Sequence, residues 1–242
     1  MEYLIITTSG ILIGIIGVVF GGSMLLSIPL FQILFPTFSY GKILGNIQVG
    51  SLARGIASTV TTRKHLELKK IIPIIILFVL GSTSGSILIA KLDQKYLIIA
   101  IIIAIVLSEL SPKIAHLINN KTRYIASLLI GLYVGTIAAG SSIMLFALLR
   151  TVFPEEDQIV NAKIQARFIE TLGIITVVIT HIFYGNIIFP IWIFWAIGSF
   201  IGGLLGGIIL KKSTKLTPKT QQIYIYCVYM IALIPTLIKT FN

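Results

Sequence analysis

The chain has 242 residues, 56% hydrophobic and 11% charged, with a formal net charge of +11. Soluble domains carry about 25% charged residues, so this chain cannot cover a soluble surface and must be an integral membrane protein. The same figures exclude disorder, a collagen-like repeat and a disulfide scaffold.

The first apolar run, 3–20, begins directly after Glu2. It has no positive n-region and no small-residue cleavage pattern before a soluble domain, so a retained span is expected rather than a signal peptide. A short apolar run, 24–35, follows the turn Gly21-Gly22-Ser23. Long runs then come at 41–62, 71–90, 96–111 and 124–140. A second short run, 143–153, follows Gly140-Ser141-Ser142, and the last long runs are 159–182, 187–210 and 221–240. A helix of about 20 apolar residues crosses a bilayer. The expected architecture is therefore an all-α, multi-pass protein of the cell (plasma) membrane, with about eight long spans and two short ones.

Lys and Arg fall in the gaps between these runs: Arg63, Lys64, Lys69 and Lys70; Lys113, Lys121 and Arg123; Lys211, Lys212, Lys215 and Lys219. Cytoplasmic loops have this character. With no basic arm or groove-reading motif, the basicity reports topology, and the lipid bilayer is the expected partner, not nucleic acid. Cys227 is the only cysteine and lies in an apolar run, which rules out intrachain disulfides and cysteine metal clusters.

The chain repeats itself. Pro73 and Pro190, Gly81 and Gly198, Ser82 and Ser199, Gly85 and Gly202, and the pairs Ile47-Gln48 and Ile164-Gln165 are each 117 residues apart, while Gly10 and Gly14 match Gly131 and Gly135 at 121. Matched glycines, prolines and glutamines at a near-constant offset indicate an internal duplication into transmembrane repeats 1–120 and 121–242. If the short runs are dead-end loops, the basic stretch 211–219 falls outside. If they return across the membrane, each half crosses five times and all three basic loops lie inside. An odd number of crossings makes the repeats inverted. The basic loop 63–70 and its uncharged counterpart 180–187 then fall on opposite faces. Twelve helical residues cover only about 18 Å, so such a span needs a thinned bilayer or burial beside other helices.

In each half a glycine-broken first helix precedes a short apolar run. The first copy reads Gly14-x-x-Gly17-x-x-x-Gly21-Gly22-Ser23, then Pro29-Leu30; the second reads Gly131-x-x-x-Gly135 with Gly140-Ser141-Ser142. The pattern resembles the sulfite exporter TauE/SafE family of membrane permeases, over nearly the whole chain. The family's GxGGG stretch here reads Val18-Val19-Phe20-Gly21-Gly22-Ser23, and the second copy lacks the proline, reading Phe146-Ala147-Leu148-Leu149. The resemblance implies export of sulfite, organosulfonates or other sulfur-containing anions.

The residues supply their own chemistry. Interrupted helices at matching places in two halves point to a transporter binding site. Ser23 can cap a helix starting near Met24, and Ser141 or Ser142 one starting near Ile143. Two helix N-termini meeting would offer a small oxyanion free N–H groups and partial positive charge, and glycine permits close approach. The competing reading of Gly21, Gly22 and Gly140 is plain helix packing. Gln48 and Gln165 are repeat-equivalent amides inside apolar helices. They either contact the anion or tie the halves together by an interhelical hydrogen bond. Asn46 points to another face and is the weaker candidate.

The intramembrane charges are Arg54, Arg167 and Glu170, with Lys163 nearer the edge. Arg54 stands about 13 Å of helix from the basic loop, where a charge is costly and faces a cavity or a partner. Guanidinium forks suit sulfo and carboxylate oxygens. Arg167 and Glu170, at i,i+3, either serve the substrate or neutralise each other, and Glu170 is the candidate for carrying a coupling proton. Ser51, Ser58, Thr59, Thr61 and Thr62 line a pathway or bond back to their own helix. His65, His116 and His181 lie near loops without metal-ligand spacing, so no metal is expected. Trp192 and Trp195 read as interfacial anchors, and Glu155-Glu156-Asp157 as a solvated loop.

No Walker loop, HExxH or nucleophile elbow occurs, so no cofactor and no catalysis are expected. The reading that emerges is a secondary transporter exporting a small anion by alternating access between the repeats. The alternatives are a channel or permease for a carboxylate or cation, and a noncatalytic membrane scaffold. A homodimer suits so small a permease.

Overall fold

The computed structural model describes residues 2–90, 103, 106, 110, 117–136, 141–155 and 159–212. Among them all regular structure is helical: α1 (Glu2–Val19), α2 (Ser23–Leu34), α3 (Tyr40–Thr62) with a 3-10 turn at Arg63–His65, α4 (Leu68–Ile89), α5 (Arg123–Thr136), α6 (Ser141–Arg150), α7 (Ile159–Phe183) and α8 (Ile191–Lys212). The expected runs 96–111 (apart from three positions) and 221–240, with Gly140 and Cys227, lie outside the described residues.

Among the described residues, four helices are long and apolar enough to cross a membrane: Glu2–Val19, Leu68–Ile89, Ile159–Phe183 and Ile191–Leu210. Apolar runs of this kind satisfy their backbone groups internally only as helices. The expected span 41–62 forms a helix of 23 residues, but it is not among those four. Asn46, Gln48, Ser51, Arg54, Ser58 and Thr62 make it too polar to face lipid, and all six are buried against other helices. The second short helix begins at Ser141 and ends at Arg150, earlier at both ends than the expected 143–153. At 12 and 10 residues, α2 and α6 span about 18 and 15 Å.

The break between α1 and α2 is made by two successive left-handed residues, Gly21 at φ 90° and Gly22 at φ 70°. A side chain is strained at both, so glycine is required for the chain to leave one helix and start the next within three residues. Pro29 lies inside α2, where it removes one backbone donor.

α3 and α7 run antiparallel. Asn46 near the start of α3 meets Asn186 and Ile188 beyond the end of α7, while His65 beyond α3 meets Gln165 near the start of α7. Between these ends Gly55 abuts Thr171. The turn at 63–67 and the segment 186–188 therefore lie at opposite ends of α3. Parallel partners flank this pair: α8 lies along α3, through Gly50–Trp195, Arg54–Gly203 and Ser58–Gly207, and α4 lies along α7, through Phe78–Gly173 and Ser86–Thr180.

The outer pairs are α1 with α8 and α5 with α4. A Cβ on Gly198 would strike the Thr7 carbonyl and one on Gly202 the Ile11 carbonyl; a Cβ on Gly81 would strike the Leu128 carbonyl and one on Gly85 the Leu132 carbonyl, each below 3.0 Å. These are the same contacts shifted by 117 and 121 residues. Small residues let the backbones come this close.

Trp195 is not an interfacial anchor. It is 1% exposed, its indole Nε1 donates to the Ile47 carbonyl at 3.3 Å, and it packs edge-on against Phe31 at 5.1 Å between ring centroids. Gly50 opens the space, since a Cβ there would run into the indole, and the carbonyl satisfies the indole's one polar group. Trp192 stays partly exposed. Replacing Trp195 by Phe should cost about 1 kcal/mol for the hydrogen bond plus the volume left empty. Thermal unfolding in detergent reads this as a lowered midpoint, and an unchanged midpoint contradicts it.

Candidate functional site

The α1–α2 break, the start of α6 and the middles of α3 and α7 converge. A Cβ on Gly21 would stand 3.3 Å from Ser142 Cβ and 3.6 Å from Arg167 Nη2. A Cβ on Gly17, one helical turn earlier, would stand 2.8 Å from Ser23 Cβ and 3.0 Å from both Cζ and Nη1 of Arg54. The first glycine–serine turn and the start of α6 are thus adjacent, with a guanidinium at each.

Ser23 does not cap α2. Gly22 occupies the N-cap of α2 with no side-chain cap bond, and Ser23 is the first helical residue. Ser141 and Ser142 likewise stand inside α6 and turn to Glu170: Ser141 Oγ donates to Oε1 at 2.7 Å, and Ser142 Oγ lies 3.2 Å from both carboxylate oxygens. Arg167 Nη1 donates to Ser142 Oγ at 2.8 Å and to Glu170 Oε2 at 2.7 Å. A carboxylate is an acceptor with about four lone-pair sites, and charge-assisted bonds to it are stronger than a neutral cap. Arg167 and Glu170 are therefore the mutual ion pair that their spacing allowed, widened to include two hydroxyls from another helix.

Arg54 differs. It is 6% exposed, its Nη2 donates to Ser51 Oγ at 3.3 Å, and among the described residues no carboxylate lies within ion-pair distance. Arg167 and Glu170 are within electrostatic range of it. Lys163, one turn before Arg167, is partly exposed with its ammonium 5.7 Å from the Phe146 ring centroid. The buried charges at the centre are thus two guanidinium groups and one carboxylate.

Gln48 and Gln165 are not brought together. Gln48 lies seven residues from the Gly55–Thr171 contact towards the start of α3, and Gln165 six residues from it towards the start of α7. In antiparallel helices these displacements add, to about 20 Å along the axis. Gln165 Nε2 donates to the His65 carbonyl at 2.8 Å and to Asn161 Oδ1 at 2.9 Å, so it ties the turn after α3 to α7. Gln48 is buried, and its Oε1 has no partner among the described residues.

Two polar clusters that sequence reasoning missed close the ends of the α3–α7 pair. At one end Asn161 Nδ2 donates to Glu67 Oε1, and Lys70 Nζ lies 2.6 Å from Oε2. The bond from Lys70 holds the Glu67 carboxyl below the usual carboxylate range, with a smaller contribution from Asn161. At the other end Asn46 Nδ2 donates to the Asn186 carbonyl at 3.3 Å, Ile188 N donates to Asn46 Oδ1 at 3.1 Å, and Asn186 Nδ2 donates to the Ala90 carbonyl at 3.1 Å. His181 lies near the end of α7, as its place by a loop suggested, but it is fully buried and 3.1 Å from Asn186 through Nδ1. The only sequence signal for these clusters was the presence of amides at the ends of apolar runs.

The family model described as Sulfite exporter TauE/SafE matches residues 6–236. The chain belongs to the TauE/SafE family. TauE/SafE proteins are membrane transporters of sulfite or related anions and not catalysts, which accords with a multi-pass chain carrying buried guanidinium groups. No curated protein and no solved structure matches the chain.

Proposed function

We propose that the protein is a secondary transporter exporting a small anion, sulfite or an organosulfonate, across the plasma membrane by alternating access between inverted repeats 1–120 and 121–242. The observation that carries the reading is Arg54: a buried guanidinium beside the start of α2, with no carboxylate among the described residues within ion-pair distance. Such a charge needs a counter-anion, and the first N–H groups of α2 lie next to it. The site comprises Gly21, Gly22, Ser23 and Arg54 on one side, and Ser141, Ser142 and Arg167 on the other; Gly140, which precedes Ser141 in sequence, lies outside the described residues. Gln48, through its unpartnered oxygen, lines the approach, and Gln165 is the tie that holds one end shut. Two observations support the duplication and its inversion: the glycine contacts that recur with the halves exchanged, and the antiparallel run of the repeat-equivalent α3 and α7.

The test is sulfite flux into proteoliposomes containing the full chain. Saturable uptake, competed by methanesulfonate, is expected. Uptake no faster than in protein-free liposomes, with folded protein and an imposed proton gradient, sinks the reading. Inversion is tested by cysteine labelling at Lys64 and Ser213 in a Cys227→Ser background. Both sites are expected to label from the same face; labelling from opposite faces excludes it.

A further inference from the structure

We propose that the groove between α5 and α6 binds an acyl chain of an anionic phospholipid whose phosphate sits at Lys121 and Arg123. The groove is a half-open cavity of about 390 Å³ with an almost wholly apolar lining. Its floor is buried and made by Ile130 and Tyr133 of α5 and Met144 of α6, while Ile125 and Leu129 at its rim are exposed. The lining positions recur at spacings of three and four from Thr122 to Tyr133, so they form one stripe along α5. That stripe is about 16 Å long. Ala126, the smallest side chain on it, leaves the middle of the groove open. An apolar slot with an exposed apolar rim on a membrane helix faces lipid, and its shape suits a single extended chain.

The charge at one end selects the lipid. Lys121 and Arg123 flank Thr122, where the groove ends. Among the described residues no carboxylate lies within ion-pair distance of either. Arg123 makes only neutral contacts there: Nη2 donates to the Tyr124 hydroxyl at 3.0 Å, Nη1 donates to Asn120 Oδ1 at 3.5 Å, and Nε is buried without a partner. Arg123 is also the first residue of α5, so its charge stands at the positive end of the helix dipole. A phosphate at that end offsets the repulsion and meets the first-turn N–H groups. Basic pockets at the ends of membrane helices hold anionic headgroups in this way, whereas a zwitterionic headgroup brings its own cation to the same place. The position 121 residues before Arg123 is Glu2, and the one before Ala126 is Ile5. The basic end and the small residue therefore belong to the second half alone.

Native mass spectrometry of the full chain in detergent, titrated with dioleoylphosphatidylglycerol and with dioleoylphosphatidylcholine, tests this. The wild type is expected to retain one phosphatidylglycerol roughly tenfold or more tighter than phosphatidylcholine. Lys121→Gln combined with Arg123→Gln is expected to remove that preference, and Ala126→Phe, which fills the groove, to remove the retained lipid. Equal retention of the two lipids by the wild type overturns the proposal, and because that comparison needs no variant, misfolding does not shield it. An unchanged preference in the folded double variant, or unchanged retention in folded Ala126→Phe, places the lipid elsewhere and also overturns it. Disulfide cross-linking between copies through Leu129→Cys in a Cys227→Ser background assigns the groove to a second copy and overturns it as well. None of these readouts involves the transported anion, so their failure leaves the transport reading standing.

Discussion

Arg54→Gln is expected to abolish saturable anion flux while leaving the protein folded. The side chain donates to Ser51 Oγ at 3.3 Å and has no acidic partner among the described residues, so its removal strands no buried carboxylate. Withdrawing an unneutralised buried charge costs little and can stabilise. The bound anion, by contrast, loses a partner whose truncation is worth about 2–5 kcal/mol, roughly 30- to 4,000-fold in affinity. Arg54→Lys keeps the charge but loses the planar fork, and residual flux is expected from it. Arg167→Gln makes the contrast: it removes a donor from Glu170 and exposes a buried carboxylate to the full cost of being unpaired, so stability falls along with flux. Initial flux rates and thermal midpoints of the same preparations separate these outcomes. Wild-type flux from Arg54→Gln would show that the guanidinium serves packing alone.

The second large effect is steric. A Cβ on Gly135 would meet the Ser82 carbonyl and the Ser86 amide, both backbone atoms and both closer than 3.0 Å. Neither can move unless α4 and α5 separate, so Gly135→Val should cost about 3 kcal/mol or more and show as a lower thermal midpoint or loss of the monodisperse species. Gly14, its counterpart in α1, is less crowded, with the Ser199 carbonyl and Gly202 Cα at 3.0 Å. Gly14→Val is therefore expected to be the milder variant. Equal stability of Gly135→Val and the wild type would show that the helices can part without loss.

Particular residues show where sequence reasoning reaches. The Gly21–Gly22 break, the i,i+3 pairing of Arg167 with Glu170 and the singular position of Arg54 were legible, because each depends on local geometry or on the count of nearby acids. The bonds from Ser141 and Ser142 to the Glu170 carboxylate were not legible, because nothing within α6 announces a neighbour on α7. Ser58, Thr61 and Thr62 bond back to carbonyls of their own helix, one of the two readings their spacing allowed, whereas Trp195 was misjudged. Lipid and a neighbouring helix are both apolar surroundings along a single strand of sequence, and only packing distinguishes them. Gln48 and Gln165 were equivalent by offset, but equivalence across antiparallel helices places them at opposite ends instead of side by side.

The pairing of α1 with α8 also constrains biosynthesis. The face of α1 that bears Gly10 and Gly14 is covered by Gly198, Ser199 and Gly202, which are translated nearly 190 residues later. At about 5–20 residues per second, the nascent first helix waits on the order of ten to forty seconds for its partner. During that interval its small-residue seam is open to lipid, to the insertion machinery or to another nascent chain. A truncated chain ending before α8 would keep that seam open for good, so premature termination should yield material marked for degradation and not a half-working permease.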